Sequence, residues 1–175
     1  MRRLTHYDYW QDKLQKCILC DAGADMILYG MGAKSVLTLC ERLSAGEQIQ
    51  HIHDIPQTVY LAQKDDVEGG IQEDDILLNS HEECVQNKRA QAENFKHIEE
   101  ESNKIHAQRL IQKVDHQYAV VNPPYPTLTT NEIDAYYDLP YTRVPHLKYK
   151  GKRIPAYEMI KFSVNIHQGC FGGCA

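Results

Sequence analysis

The sequence lacks the features that place a chain in a membrane, in a secretory pathway or along nucleic acid. It has no run of about 18 apolar residues, so no transmembrane helix is predicted. Its N-terminal segment carries two arginines without an apolar stretch behind them, so no secretory signal is predicted. The net charge is -5, which argues against a surface that coats nucleic acid. These absences predict a cytoplasmic protein without membrane contacts.

The six cysteines do not form a pattern typical of a disulfide-bonded secreted domain. In a cytoplasmic chain of 175 residues, metal binding or plain burial is the better expectation. Cys17 and Cys20 form a CxxC, but no second pair lies nearby to complete a zinc ribbon. A thioredoxin-type pair would open a helix, whereas here a helix is expected to end and a strand to begin. We therefore interpret Cys17 and Cys20 as small buried residues.

The N-terminal third has the pattern of an α/β unit. A helix is predicted over residues 9–16 and a short buried strand over residues 26–29. Residues 30–32 are predicted to form a glycine turn. A second helix is predicted to follow it and to end at Gly46. Another strand is predicted over residues 58–62.

This order of strand, glycine turn and helix is typical of a doubly wound, Rossmann-like sheet of parallel strands. Parallel strands need several neighbours and cover on both faces, but only two or three strands are evident, after an opening helix. We therefore expect an α/β fold in which this unit is the end of a larger sheet whose first strands are missing.

The middle of the chain is mostly polar and is predicted to be helical. Residues 80–83 fit a capping box. A polar helix is expected from there to about Lys113, with a narrow apolar stripe that residues 110–114 continue. A strand is predicted over residues 118–122, and a second capping box at residues 129–132 begins a short helix.

Residues 140–155 contain three prolines and are predicted to be an extended linker, which leads into a final strand over residues 162–166. Basic residues and tyrosines alternate within this linker and just beyond it. They are Arg143, Lys148, Lys150, Lys152, Arg153 and Lys161, with Tyr141, Tyr149 and Tyr157. Such a combination can bind single-stranded nucleic acid. We favour a solvated linker, and contact with an anionic substrate stays open.

Two further patterns are weak. Gly30-Met31-Gly32 lacks the third glycine of a dinucleotide-binding turn, so we interpret it as a structural turn. His51 and His53 are too few for a dedicated metal site, and His97 and His106 do not share a tight helical face. All four histidines are expected to be solvated.

The strongest motif is the terminal GCFGGCA, in which Cys170 and Cys174 flank Phe171, Gly172 and Gly173. Thiolates on a tight turn can converge on one iron–sulfur cluster, and glycines let backbone amides approach its sulfides. With only two cysteines, two alternatives stay open, namely a strained disulfide or no bond between them.

Four stretches of the chain resemble the YgiQ family of radical S-adenosylmethionine (SAM) proteins. They are LTHYDYWQDKLQ, ADMILYGMGAKSV, VVNPPYP and LPYTRVPHLKYKGKRIPAYEMIKFSVNIHQGCFGGCA. The resemblance implies an internal piece of a longer protein. Residues 1–64 would be the end of a cobalamin-binding-like Rossmann region, residues 65–155 a connecting segment with a long helix, and residues 156–175 the start of a truncated radical SAM barrel.

The resemblance also implies a [4Fe–4S] cluster held by three thiolates of a CxxxCxxC motif. Cys170 and Cys174 match the first two cysteines, residues 171–173 would border the cofactors, and the third cysteine would fall two residues beyond Ala175. In such enzymes SAM binds the open iron and is cleaved to a deoxyadenosyl radical, which abstracts hydrogen from a substrate. A flavodoxin or ferredoxin is the expected electron donor. Cobalamin is doubtful because no D-x-H-x-x-G loop occurs.

Because one ligand and most of the barrel are missing, we expect the 175-residue chain to be inactive by itself. Two other interpretations stay open. One is a non-catalytic module that binds nucleic acid or protein through the basic, tyrosine-containing linker. The other is a structural remnant without activity.

Overall fold

The computed structural model describes residues 2–164, in which residues 2–126 and residues 127–164 form two compact units. The first unit contains a hairpin of β1 (His6–Asp8) and β2 (Lys13–Gln15). Its main sheet contains β3 (Met26–Leu28), β4 (Thr58–Gln63), β5 (Ile76–Leu78), β6 (Leu110–Val114) and β7 (Gln117–Val121). Its α-helices are α1 (Leu19–Ala22), α2 (Ala33–Ser44), α3 (Lys64–Glu68), α4 (His81–Gln86) and α5 (Lys88–Ser102), and a 3-10 helix covers Ile49–His51.

The five strands lie in the order β3-β4-β7-β6-β5. Only β5 and β6 run parallel, and the other three pairs of neighbours are antiparallel. The α/β class is therefore confirmed, as are the strands predicted at 26–29, 58–62 and 118–122 and the helix that follows Gly32. For these four elements the type was predicted correctly, but the direction of the strands was not.

The expectation of a parallel, doubly wound sheet is wrong. Only Asp115 and His116 separate β6 from β7, and so short a connection can join only antiparallel strands. Asp115 has a φ of +52°, as such a tight turn requires. The described sheet has five strands, where the sequence predicted two or three.

The two faces of the sheet form separate cores because side chains alternate along each strand. Val59 and Val121 face one core together with Leu19. Tyr60 and Val120, their immediate neighbours in sequence, face the other. Burial on both faces explains why β4 and β7 are almost continuously apolar, a pattern that is also typical of parallel strands.

A pair of asparagines fixes the helical crossover that joins β5 to β6. Asn94 of α5 is buried, and its side-chain oxygen accepts from the Asn79 amide at 2.8 Å. Its Nδ2 donates to the Asn79 carbonyl at 2.8 Å and to the Cys84 sulfur at 3.0 Å. These bonds satisfy polar groups that would otherwise be costly to bury. They hold α5 against the segment that leads from β5 into α4.

The helix predicted over residues 9–16 is wrong, because this stretch completes the β1–β2 hairpin. The Asp8 carboxylate accepts hydrogen bonds from the amides of Trp10 and Gln11, and Asp12 has a φ of +49°. Such aspartate turns compete with the start of a helix. The CxxC accordingly follows a strand, and Cys20 lies in α1, so the expected order of helix then strand is reversed.

The single polar helix predicted from residue 80 to Lys113 is correct only in part. It is interrupted at Asn87, whose extended backbone caps α5, and α5 ends at Ser102. Residues 110–114 are the strand β6, paired on one side with β5 and on the other with β7. An apolar stripe this short fits the periodicity of a helix and that of a strand. Pairing with distant strands therefore decided that residues 110–114 form a strand.

The second unit, residues 127–164, contains α6 (Thr130–Tyr137), α7 (Pro155–Ile160) and a 3-10 helix, Leu147–Tyr149. No β-strand occurs within these residues. The rest of the predicted linker has no regular structure, and Phe162–Val164 lie outside any strand. The described part of the strand predicted over 162–166 is therefore not observed, and its last two residues lie outside the described range. The division at residues 64 and 155 stays a prediction.

Both predicted capping boxes are confirmed, and the first allows a stability test. The Ser80 hydroxyl accepts from the Glu83 amide at 3.1 Å, while the Glu83 carboxylate accepts from the Ser80 amide at 2.7 Å. We expect Ser80→Ala to lower the free energy of unfolding by about 1 kcal/mol. Ser44→Ala, at an exposed helical position, is the control and should have almost no effect. Equal midpoints in urea denaturation for the two variants would contradict this role of Ser80.

His81 makes the stability of the first unit sensitive to acid. Its Nδ1 lies 3.0 Å from the Thr5 hydroxyl, and burial lowers the pKa of the imidazole below its ordinary value. The unfolded chain therefore binds a proton more readily than the folded chain. Stability should be unaffected above about pH 6.5, should fall as the pH drops through that value, and should level off below the folded pKa. In thermal melts between pH 8 and pH 5, the melting temperature of the wild-type chain should fall more than that of His81→Gln.

Candidate functional site

The first unit has an open cleft of about 680 Å³ at one end of the main sheet. Segments that are distant in sequence meet there, because β4 begins, β7 ends, and β5 and β6 begin at this edge. The polar groups that line the cleft include His53, Asp54, Tyr60, Asp75, Arg109 and Asn122. The cleft is thus a product of strand order and not of any one motif.

Asp75 and Arg109 form the central ion pair of this cleft. The carboxylate of Asp75 is 2% exposed, and it accepts from Nε of Arg109 at 2.8 Å and from Nη2 at 2.5 Å. Burial raises the pKa of Asp75, but hydrogen bonds from Arg109 and from the Gln72 amide outweigh this effect and lower the pKa overall. Arg109 also donates to the carbonyl of Gly70 at 2.7 Å. The guanidinium is therefore held in one orientation at the edge of the cleft.

A stacked pair of rings forms another wall of the cleft. The His53 and Tyr60 rings lie 4.2 Å apart and within 2° of parallel. Burial raises the pKa of the Tyr60 hydroxyl, while the charge of Arg109 opposes that rise. Tyr60 therefore stays neutral at physiological pH. The expectation that His53 is simply solvated is wrong, because β4 places an aromatic ring against it.

Asn122 fixes the loop that carries His53. Its buried Nδ2 donates to the carbonyls of His53 at 2.8 Å and Ile55 at 3.0 Å, and contacts the Thr58 hydroxyl at 3.0 Å. The Tyr29 hydroxyl donates in turn to the Asn122 carbonyl. Asn122 therefore holds the wall of the cleft that His53 and Tyr60 form.

The second unit has its own groove of about 470 Å³. Val144, Pro145, Ile154 and Ile160 give it apolar lining, and several of the basic and tyrosine residues singled out in the sequence line it too. They include Arg143, Tyr149, Tyr157 and Lys161. The predicted basic, aromatic segment therefore forms a shaped surface and not only a solvated linker.

Burial raises the thiol pKa of both Cys17 and Cys20 above the ordinary value. Cys17 is completely buried, and burial raises the pKa of its thiol to about 11. Such a thiol is unreactive because the thiolate is the nucleophile and the metal ligand. The interpretation of Cys17 as a small buried residue is confirmed, while Cys20 is half-buried beside it.

The glycine turn is explained by packing. Gly30 has a φ of +64°, and a Cβ there would lie 2.8 Å from Nε2 of Gln57. The Gln57 side chain donates to the Tyr29 carbonyl, and the Tyr29 amide donates to the Gln57 carbonyl. Glycine is thus required at position 30 by local geometry, as the structural interpretation of the turn predicts.

The remaining predicted site residues fall outside the described part of the chain. Cys170 and Cys174, with residues 171–173 between them, belong to this group. Among residues 2–164, no three His, Cys, Asp or Glu side chains lie close enough together to hold a metal ion. Within the same range, no helix is both long and apolar enough to cross a membrane.

Sequence reasoning missed the cleft altogether. Asp75 and Arg109 each lie immediately before a strand, but 34 positions separate them. Their position before Ile76 and Leu110 was a usable signal once those two strands were known to be parallel partners. Neither residue belongs to a recognisable motif, so only the strand pairing could have shown that they meet.

Comparison with known proteins identifies the class. The family model for the radical SAM N-terminal domain matches residues 1–163, and the chain belongs to that family. Over its whole length it is 58% identical to a UPF0313 protein of Bacteroides thetaiotaomicron and 53% identical to one of Porphyromonas gingivalis. It is 46% identical to a UPF0313 protein of the archaeon Methanocella arvoryzae. The chain covers 30%, 27% and 28% of these relatives, respectively. No solved structure matches it.

Proposed function

We propose that this chain forms the N-terminal region of a radical SAM enzyme of the kind represented by the YgiQ family, and that Cys170 and Cys174 are two of its three cluster ligands. The observation that supports this most is the match of the radical SAM N-terminal family model to residues 1–163, which ends just before the CxxxC motif. The resemblance of that motif to the family's cluster motif is the second support. The substrate stays open.

The residues around the two cysteines fit a cluster on chemical grounds. Thiolates are the standard protein ligands of [4Fe–4S] clusters. Gly172 and Gly173 have no side chain to obstruct the approach of backbone amides to the sulfides. When bound, the cluster supplies the electron that cleaves SAM to methionine and a deoxyadenosyl radical, which abstracts a hydrogen atom from the substrate. We propose an acidic flavodoxin or ferredoxin as the source of that electron.

The function is tested by comparing two proteins. One is the 175-residue chain. The other, called the long form here, continues beyond Ala175 with the corresponding remainder of the Bacteroides thetaiotaomicron relative. After anaerobic reconstitution with iron and sulfide, the long form should contain about four irons per chain and release 5′-deoxyadenosine from SAM under reduction. The short chain should do neither, because two thiolates are too few to hold the cluster. A long form without cluster and without SAM cleavage would overturn the proposal.

A further inference from the structure

The described residues of the second unit, 127–164, have no core of their own. None of them is buried, and their two α-helices each extend over eight residues or fewer. A short helix that buries no apolar face gains little stability by itself, because most helical stability comes from tertiary packing. These residues are therefore expected to pack against another surface.

The side chains that such a surface would cover are concentrated between residues 139 and 164. Nine large apolar side chains are exposed there. Leu147 and Met159 are each 83% exposed, and Phe162 is 90% exposed. Single exposed apolar side chains are ordinary, but a concentration of this kind marks an interaction surface.

The same segment combines the types of side chain found at protein interfaces. Its groove is lined by aliphatic side chains, including Val144 and Ile154, and by the basic side chains of Arg143 and Lys161. Arg143 has a φ of +56°, which is uncommon for a residue other than glycine, and its carbonyl accepts from the Tyr157 hydroxyl at 3.4 Å. Apolar side chains accompanied by polar and charged ones are a usual composition of protein–protein contacts.

We infer that residues 139–164, which include this groove, form the docking surface against which the radical SAM core of the longer protein packs. The inference rests on the proposed function. Three observations select this occupant. The curated relatives are more than three times as long as this chain, so most of their length is available to cover the surface. The segment ends six positions before Cys170 in sequence, so the proposed cluster motif is covalently tethered close to it.

The third observation is charge. Residues 139–164 contain six Lys and Arg but only one acidic residue, Glu158, although the whole chain has a net charge of -5. The surface of the core that faces the groove should therefore be apolar at its centre and acidic around it. Aliphatic side chains such as Leu147, Met159 and Ile160 favour a protein occupant over single-stranded nucleic acid, which stacks on aromatic rings.

The inference is tested by protection against proteolysis and hydrogen exchange in the long form and in the 175-residue chain. Cleavage within residues 139–164 should be at least about tenfold slower in the long form, because burial suppresses local opening. Leu147→Asp and Met159→Asp should return cleavage in the long form to nearly the rate of the short chain. Trp10→Asp and Ile105→Asp are matched controls at similarly exposed apolar positions in the first unit, and they should leave the protection intact.

The outcomes separate this inference from the proposed function. Protection of residues 139–164 in a long form that holds no cluster would support the docking surface and contradict the proposed function. A long form that binds the cluster and cleaves SAM, but leaves this segment as accessible as in the short chain, would overturn the docking surface alone. Salt-sensitive binding of single-stranded RNA by the long form, with the segment exposed, would also overturn it.

Discussion

Replacing Cys170 with alanine in the long form is expected to abolish both cluster binding and the cleavage of SAM. A [4Fe–4S] cluster that keeps one iron open for SAM needs three protein thiolates, so the loss of one leaves the cluster incompletely held. Iron content should fall from about four per chain to near zero, and release of 5′-deoxyadenosine should drop to background. Cys174→Ala should have the same effect. Iron and sulfide analysis with the visible absorption of the cluster measures the first, and chromatography of the products measures the second.

Cys40→Ala is the matched control for this experiment. Cys40 is an exposed free thiol on α2 and is not part of the CxxxC motif. Its removal should leave iron content and SAM cleavage unchanged. If Cys170→Ala retained a full cluster, or if Cys40→Ala lost it, the assignment of Cys170 as a ligand would be wrong.

Replacing Arg109 with methionine should be among the most destabilising single changes in the first unit. It leaves the carboxylate of Asp75 almost fully buried without its partner. Removing one member of a buried ion pair typically costs about 3–5 kcal/mol, because the remaining charge is uncompensated. We expect a loss of this size in the free energy of unfolding, measured by urea denaturation at pH 7.

Two controls isolate the cause of that loss. Arg89→Met breaks the exposed pair of Arg89 with Glu93 and should cost no more than about 0.5 kcal/mol. The double variant Arg109→Met with Asp75→Leu removes both charges and should recover most of the lost stability. If Arg109→Met cost as little as Arg89→Met, the pair would not contribute to the stability of the cleft.

The stability that the Asp75–Arg109 pair provides is expected to decrease in acid. The pKa of Asp75 is lower in the folded protein than in the unfolded chain. The stability that the pair provides is therefore fully present above about pH 4 and is lost as the pH falls through the folded pKa. In Arg109→Met the buried carboxyl should instead have a raised pKa, so mild acid should recover part of the variant's stability.

Several elements could be predicted because their signals lie within a few adjacent residues. The capping box at Ser80 depends only on Ser80 and Glu83, and the structure confirms both of its hydrogen bonds. The strand at residues 58–62 is a short, β-branched and aromatic run that can be buried on both faces, and β4 occupies it. The family resemblance is likewise carried by the order of residues alone.

Other elements could not be predicted, because competing local signals were decided by distant contacts. Leu110, Ile111 and Val114 fit a helical stripe and a strand equally well, and pairing with β5 and β7 made them a strand. Near residue 9, the turn that Asp8 stabilises formed in place of the predicted helix. In both stretches the sequence reading failed where a helical pattern was only a few residues long.

The sequence by itself determined the α/β class, the two helix starts, the buried nature of Cys17 and the resemblance that points to a cluster at Cys170 and Cys174, because each is expressed by residues close together in the chain. Only the tertiary structure decided the direction of the strands, the meeting of Asp75 with Arg109, and the exposed surface of residues 139–164. The physical reason is that strand pairing and side-chain burial depend on which distant segments meet. That is a property of the whole fold and leaves little trace in any short stretch of sequence.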